Sequence, residues 1–186
     1  MFDLGNVLVR LRFDRGLARL AAMGGRCGAI LGSALKRDFD SGRIDTEGFL
    51  RALDVCGAPR AQVVEAWCDV FDRWPEMEAV LEEVLASGRK TYLMSNTDPL
   101  HLAHLQAVVP ALSRVHGAQL SYACGHLKPD AEFFLGALRQ WGLRAEECVF
   151  IDDLADNVAA AEALGIRAHL HTGDVPAVRR ALGLSD

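Results

Sequence analysis

Cys148-Val149-Phe150-Ile151-Asp152-Asp153 decides how this chain is to be read. Four apolar residues in a row make a strand buried on both faces, and two acids close it. An Ala-rich helix follows from Ala155 to Leu164 and is ended by Gly165, after which Ile166 to Leu170 reads as another strand. Strand, helix and strand in close succession form the βαβ unit of a parallel sheet.

The same alternation extends upstream. Pro75 opens a helix whose stripe of Met77, Val80, Leu81, Val84 and Leu85 stops at Ser87-Gly88. Lys90 to Met94 predicts a strand, Pro99 to Val108 a helix with Leu102 and Leu105 inward, Ala118 to Tyr122 a weak strand, and Pro129 to Trp141 a helix. A short helix follows Val175. The expected fold is α/β, a doubly wound, mostly parallel Rossmann-like sheet. Residues 13–74 differ: they carry helical apolar patterns, such as Phe49-Leu50-Leu53 after the cap Asp45 and Val63-Val64-Trp67-Val70-Phe71, and no convincing strand. They read as a small all-helical insertion, with 1–12 and 75–186 forming the core. Only Met1 and Phe2 precede Asp3, against about five residues in a usual strand. Either the chain begins upstream or the first strand is clipped.

With 186 residues, 51% hydrophobic and 24% charged, the chain is globular and large enough to bury a sizeable core. A net charge of −5 offers no electrostatic case for nucleic acid or an anionic membrane. No run approaches the roughly 20 apolar residues of a membrane span, and no signal peptide is visible. Five scattered cysteines without a CxxC pair point to reduced thiols and a cytoplasmic protein, with Cys148 a small core residue. Oligomeric state, monomer or homodimer, is left open.

Four short polar groups fall at or just after the predicted strand ends: Asp3, Ser95-Asn96-Thr97, Lys128-Pro129-Asp130 and Asp152-Asp153. Open α/β sheets bind ligands beyond the carboxyl ends of their strands, so topology predicts that all four converge on one crevice. A carboxylate there can act as a nucleophile toward a phosphoryl group. Carboxylates from two chain segments suit Mg²⁺, which binds through one or two carboxylates plus substrate phosphate. A hydroxyl, backbone amides and a lysine can hold and neutralise phosphate oxygens.

In this order the four segments resemble the haloacid dehalogenase (HAD) superfamily, whose members are mostly Mg²⁺-dependent phosphatases. Phe2 to Leu8 is similar to its first motif, Met94 to Thr97 to its second, Lys128-Pro129-Asp130 to its third, and Phe150 to Asp153 with Asp156-Asn157 to its fourth. The likeness covers nearly the whole chain and is greatest to the branch acting on α-D-glucose 1-phosphate. It implies that Asp3 is the nucleophile, that Ser95 and the amides of Leu4, Gly5 and Asn96 bind the phosphoryl group, and that Lys128 neutralises charge. It also implies Mg²⁺ held by Asp3, the Gly5 carbonyl and Asp153, with Asp152 beside or behind the ion, and a helical cap over the site. The substrate would be a small phosphorylated metabolite.

Gly5 departs from that family's pattern, which places a second aspartate two residues after the nucleophile as acid and base. General acid–base help contributes about 10²–10⁴-fold, so its absence favours substrates with a good leaving group, such as a sugar 1-phosphate. Two other readings stand beside the phosphatase: a 2-haloacid dehalogenase-type hydrolase, and a non-catalytic phosphate-binding or phospho-accepting regulatory protein. Locally, Ser95-Asn96-Thr97 also fits a plain helix N-cap, and Pro129 with Asp130 a plain helix start. His101 and His104 are expected on a solvated face, and His169 and His171 in structural roles. His126 is the histidine nearest the site. Trp67 and Trp74 are expected in the insertion's core, with contact to substrate the alternative for Trp74 at the boundary.

Overall fold

The computed structural model describes residues 1–24, 30–53 and 57–185. Six short strands and ten α-helices are described. The strands β1 (Val9–Leu11) and β2 (Phe71–Arg73) flank the helices α1 (Phe13–Ala22), α2 (Ala34–Asp40), α3 (Thr46–Ala52) and α4 (Arg60–Cys68). Then come α5 (Pro75–Ala86), β3 (Tyr92–Ser95), α6 (Pro99–Val108), β4 (Gly117–Leu120), α7 (Ser121–Cys124), α8 (Ala131–Trp141), β5 (Val149–Asp152), α9 (Ala155–Ala163), β6 (Arg167–Leu170) and α10 (Val175–Ala181).

β3 pairs in parallel with β4, and β5 with β6. Met1 to Asp3 joins the two pairs. Phe2 bridges Leu93 on one side and Ile151 on the other, with Phe2 N donating to Tyr92 O (2.9 Å) and Asp3 N to Ile151 O (3.0 Å). The result is a parallel sheet in the order β4, β3, Met1–Asp3, β5, β6. Alternate residues face opposite sides. Phe2, Leu93 and Ile151 pack with α5, α6 and α10 on one face, while Met94, Tyr92 and Phe150 pack with α8 and α9 on the other. Helices on both faces make the sheet doubly wound, as expected.

The helices of the 13–74 stretch share a cluster of their own, centred on Leu20, Phe39, Phe49 and Trp67. Phe39 stacks on Phe49 at 4.0 Å, and Phe49 meets Trp67 edge-on at 4.7 Å. The stretch is not strand-free, however. Phe71–Arg73 pairs antiparallel with Val9–Leu11, Arg10 lying opposite Asp72. Three residues, two of them charged, carry no apolar run; the pairing is held from α1, where Arg15 donates to Phe71 O (3.0 Å) and Asp72 (2.7 Å). Tyr122, expected to end β4, lies instead in the turn α7, whose Ser121 is needed beside the site.

Gly42 is where the helical stretch meets the core most closely. A Cβ there would lie 2.2 Å from Tyr122 O, and φ is +70°. Gly42→Ala should therefore lower stability by more than the about 1–2 kcal/mol of left-handed strain alone. Gly88→Ala is the control: φ is +76° and the space around it is open. Thermal unfolding of both variants tests this, and equal losses would mean that the Tyr122 contact is unimportant.

Candidate active site

Asp3 ends the central segment of the sheet and is buried, with 9% of its surface exposed. Lys128 reaches it from the loop before α8. Its ammonium lies 2.9 Å from Asp3 Oδ1, donates to Asp152 Oδ2 (2.6 Å) and donates to Met94 O (2.8 Å). Asp152, wholly buried, is saturated, since its Oδ1 accepts from Leu154 N and Asn157 Nδ2, each at 2.9 Å. Burial pushes the Asp3 carboxyl above the usual carboxylate range, opposed by Lys128 and by hydrogen bonding to Ser95 and reinforced by the charge of Asp152.

The loops that bear the polar groups hold one another. Asn96 Nδ2 donates to Lys128 O (2.9 Å), and Lys128 N donates back to Asn96 Oδ1 (2.8 Å). Ser121 fixes the next residue: its Oγ accepts from Thr97 N (3.0 Å) and donates to Thr97 O (3.1 Å). Asp98, not Ser95 to Thr97, caps α6 by accepting from His101 N (2.9 Å). Asp130 caps α8 through Glu132 N (3.0 Å). With both caps assigned elsewhere, Ser95 and Lys128 have no helix-starting duty. Asn6, at φ +49°, accepts from Leu11 N (3.1 Å) and donates to Asp153 Oδ2 (3.0 Å), tying β1 to the second acid.

Asp3, Ser95, Asn96, Lys128 and Asp153, with Leu4 and Gly5, thus border one cavity of about 240 Å³. Leu11, Phe13, Phe71 and Lys36 also line it, and the histidine in its wall is His101 rather than His126. Asp152 lies behind it. A larger cavity of about 600 Å³ surrounds Met1, Thr91 and Cys148 at the amino ends of the strands, where α/β sheets do not place ligands.

The residues fit a Mg²⁺ ion. Carboxylate oxygens of Asp3, Asp152 and Asp153 lie within 4.8 Å of one another, and Asp3 Oδ1, though buried, has the Lys128 ammonium as its partner and no other. Three carboxylates face one ammonium, a charge imbalance suited to a hard dication with oxygen ligands. Because Asp152 is fully occupied by Lys128, Leu154 and Asn157, Asp3 and Asp153 are the carboxylates free to ligate.

Several residues lie elsewhere than expected. His101 is buried, not solvated: α6 is apolar on more than one face, and the ring stacks on Trp67 at 4.9 Å. Its Nε2 contacts Trp67 O (2.9 Å) and its Nδ1 contacts Asp98 Oδ2 (3.0 Å). Burial pushes this imidazole below its ordinary value, and Asp98 opposes that. His104 is half-buried against Phe71. His126 is exposed and pairs with Asp130 at 3.1 Å. Trp74 is buried beneath Arg10 and beside His171, outside the Asp3 cavity. Cys68, Cys124 and Cys148 are free thiols, and Cys27 and Cys56 lie outside the described residues. No described helix is long and apolar enough to cross a membrane.

A buried carboxylate on the middle strand, a lysine shared between two acids and a second free acid define a hydrolase site of the phosphatase type. A family model for haloacid dehalogenase-like hydrolase matches residues 2–165, and the chain belongs to that family. Sesquiterpene phosphatase astK of Aspergillus oryzae is 28% identical over 153 residues, covering 79% of this chain and 76% of its own. D-ribitol-5-phosphate phosphatase of Bacteroides thetaiotaomicron is 24% identical over 184 residues, covering 89% and 87%. Among solved structures, a predicted HAD-like family hydrolase from Porphyromonas gingivalis superposes with a TM-score of 0.84 at 28% identity, covering 99% of this chain and 97% of that one. A HAD family enzyme from Bacteroides thetaiotaomicron, crystallised with magnesium and inorganic phosphate, shares the fold at a TM-score of 0.84 and 22% identity over 93% of each chain.

Proposed function

We propose that this enzyme is a Mg²⁺-dependent phosphatase of a small phosphorylated metabolite, working in the cytoplasm through an aspartyl phosphate on Asp3, with residues 13–74 as its cap. The observation that carries the reading is the placement of Asp3, Lys128 and Asp153 around one small cavity, with Asp152 wholly engaged in holding the lysine. Asp3 attacks phosphorus. Ser95 and the amides of Leu4, Gly5 and Asn96 bind the phosphoryl oxygens, and Lys128 offsets the charge of nucleophile and phosphate. Asp3, Asp153 and the Gly5 carbonyl would hold Mg²⁺, which when bound neutralises charge between carboxylate and phosphate. The insertion's apolar wall, Phe13 and Phe71, limits water at the reacting centre.

Gly5 bears on the substrate. Leu11 Cδ1 lies 2.8 Å from where a Cβ on Gly5 would stand, so leucine fills the space that an acid at this position would need. Without that acid, the leaving oxygen must be stable as an anion, and an anomeric oxygen is more stable than that of a primary alcohol. The preferred substrates are therefore sugar 1-phosphates. For one sugar at saturating Mg²⁺, kcat/KM for the 1-phosphate should exceed that for the 6-phosphate by about 10-fold or more. Equal values would remove the leaving-group argument. The relative named for D-ribitol 5-phosphate makes polyol phosphates the next class to assay.

A further inference from the structure

Gly5 supplies no charge at the position where the family pattern places an acid. Among the described residues, one cation reaches the cavity from the helical insertion. Lys36, in the first turn of α2, lines it together with Asp3 and Ser95. The other insertion residues there, Phe13 and Phe71, are apolar. The Lys36 side chain is 12% exposed, and its ammonium is paired with Asp40 and lies 3.8 Å from Asp98 Oδ2. It also lies 5.7 Å from the Trp67 ring. Asp98 is wholly buried and is itself held by Trp67 Nε1 (3.2 Å) and His101. The ammonium of a long, flexible side chain is thereby held by carboxylates and an aromatic ring beside the cavity. Lys128 cannot serve the leaving group, because its ammonium is spent on Asp3, Asp152 and the Met94 carbonyl.

Resting on the phosphatase reading, we propose that Lys36 is a catalytic residue that stabilises the negative charge developing on the leaving oxygen. As Asp3 Oδ bonds to phosphorus, the bond from phosphorus to the leaving oxygen breaks and its electron pair moves onto that oxygen, which accepts a hydrogen bond from the Lys36 ammonium. The released oxygen takes a proton from water. The water that cleaves the aspartyl phosphate gives a proton back, so the balance is that of ordinary ester hydrolysis. A fixed cation does part of an acid's work without supplying the proton, and the preference for stable leaving groups persists in weakened form.

The test is kcat/KM at saturating Mg²⁺ for wild type, Lys36→Met and Lys36→Arg over aryl and alkyl phosphates of rising leaving-group pKa, with a thermal melt of each variant. The loss in Lys36→Met should grow along the series, from under about 3-fold on p-nitrophenyl phosphate to about 10²-fold on an alkyl phosphate. Lys36→Arg, which keeps the charge beside Asp40 and Asp98, should recover part of it. An equal fall on all substrates, or none, overturns the proposal and leaves Lys36 as a structural pair of Asp40 and Asp98. A wild type unable to release phosphate even from p-nitrophenyl phosphate overturns the phosphatase reading itself, and this proposal with it.

Discussion

Asp3→Asn should keep its fold and lose Mg²⁺-dependent release of phosphate from p-nitrophenyl phosphate by about 10⁴-fold or more, because a neutral amide cannot form the acyl phosphate. Its stability should move the other way. The Asp3 carboxyl is pushed up by burial, which means that its ionised form is disfavoured in the folded protein. The sign follows from proton counting: above the unfolded value of about 3.9 the folded state holds the proton more tightly, so this group's contribution falls as pH rises through its folded value. At pH 7.5 asparagine removes that burden while Lys128 keeps Asp152. The variant should melt no lower than wild type. Activity and melting temperature measured together check both halves, and unchanged turnover would exclude Asp3 as the nucleophile.

Lys128→Met should be the most damaging single change to the fold. It strands two buried carboxylates, Asp3 and Asp152, that share one ammonium at 2.9 and 2.6 Å. Removing one partner of a buried ion pair costs about 3–5 kcal/mol. For a chain of this size that is a fall of about 10 °C or more in melting temperature. The loss should shrink on acidification. Without the ammonium the Asp3 carboxyl lies higher still, and protonation in the folded state relieves it as pH falls toward the unfolded value. Melting curves at pH 5.0 and 7.5 test this. A deficit independent of pH would mean that methionine's packing, and not charge, sets the cost.

The parts of this molecule that were legible in the sequence are those with a short period and full burial. Phe150, Ile151, Leu93 and Met94 are apolar on both faces of the sheet because helices cover both, so their strands stand out as runs. Asp3 and Asp152-Asp153 were legible because charged residues closing such runs have no structural excuse, and Lys128 because a helix start predicts Pro129 and Asp130 but not the lysine before them. What escaped depends on partners distant in sequence. Phe71–Arg73 becomes a strand through Arg15 and the opposite edge of β1. His101 is expected on a solvated face for want of acidic partners, but Asp98 contacts it and the helical insertion supplies Trp67 to cover it. Asp98 follows a conspicuous polar triplet, which concealed that it is the cap of α6 and the anchor of Trp67. Lys36 belongs to a segment whose position over the core no periodicity specifies.

The reciprocal bonding of Asn96 with Lys128 has an evolutionary side. Every member of the lattice that sets the charge around Asp3 (Asn96, Lys128, Ser121, Asp152 and Asn157) comes from the core, and none of these bonds passes through residues 13–74. The charge around Asp3 is thereby set without residues 13–74. If residues 13–74 cap the site as proposed, mutations there can trade one leaving group for another without retuning Asp3, so new substrate preferences are reachable by drift in those helices while the reactive end stays constant.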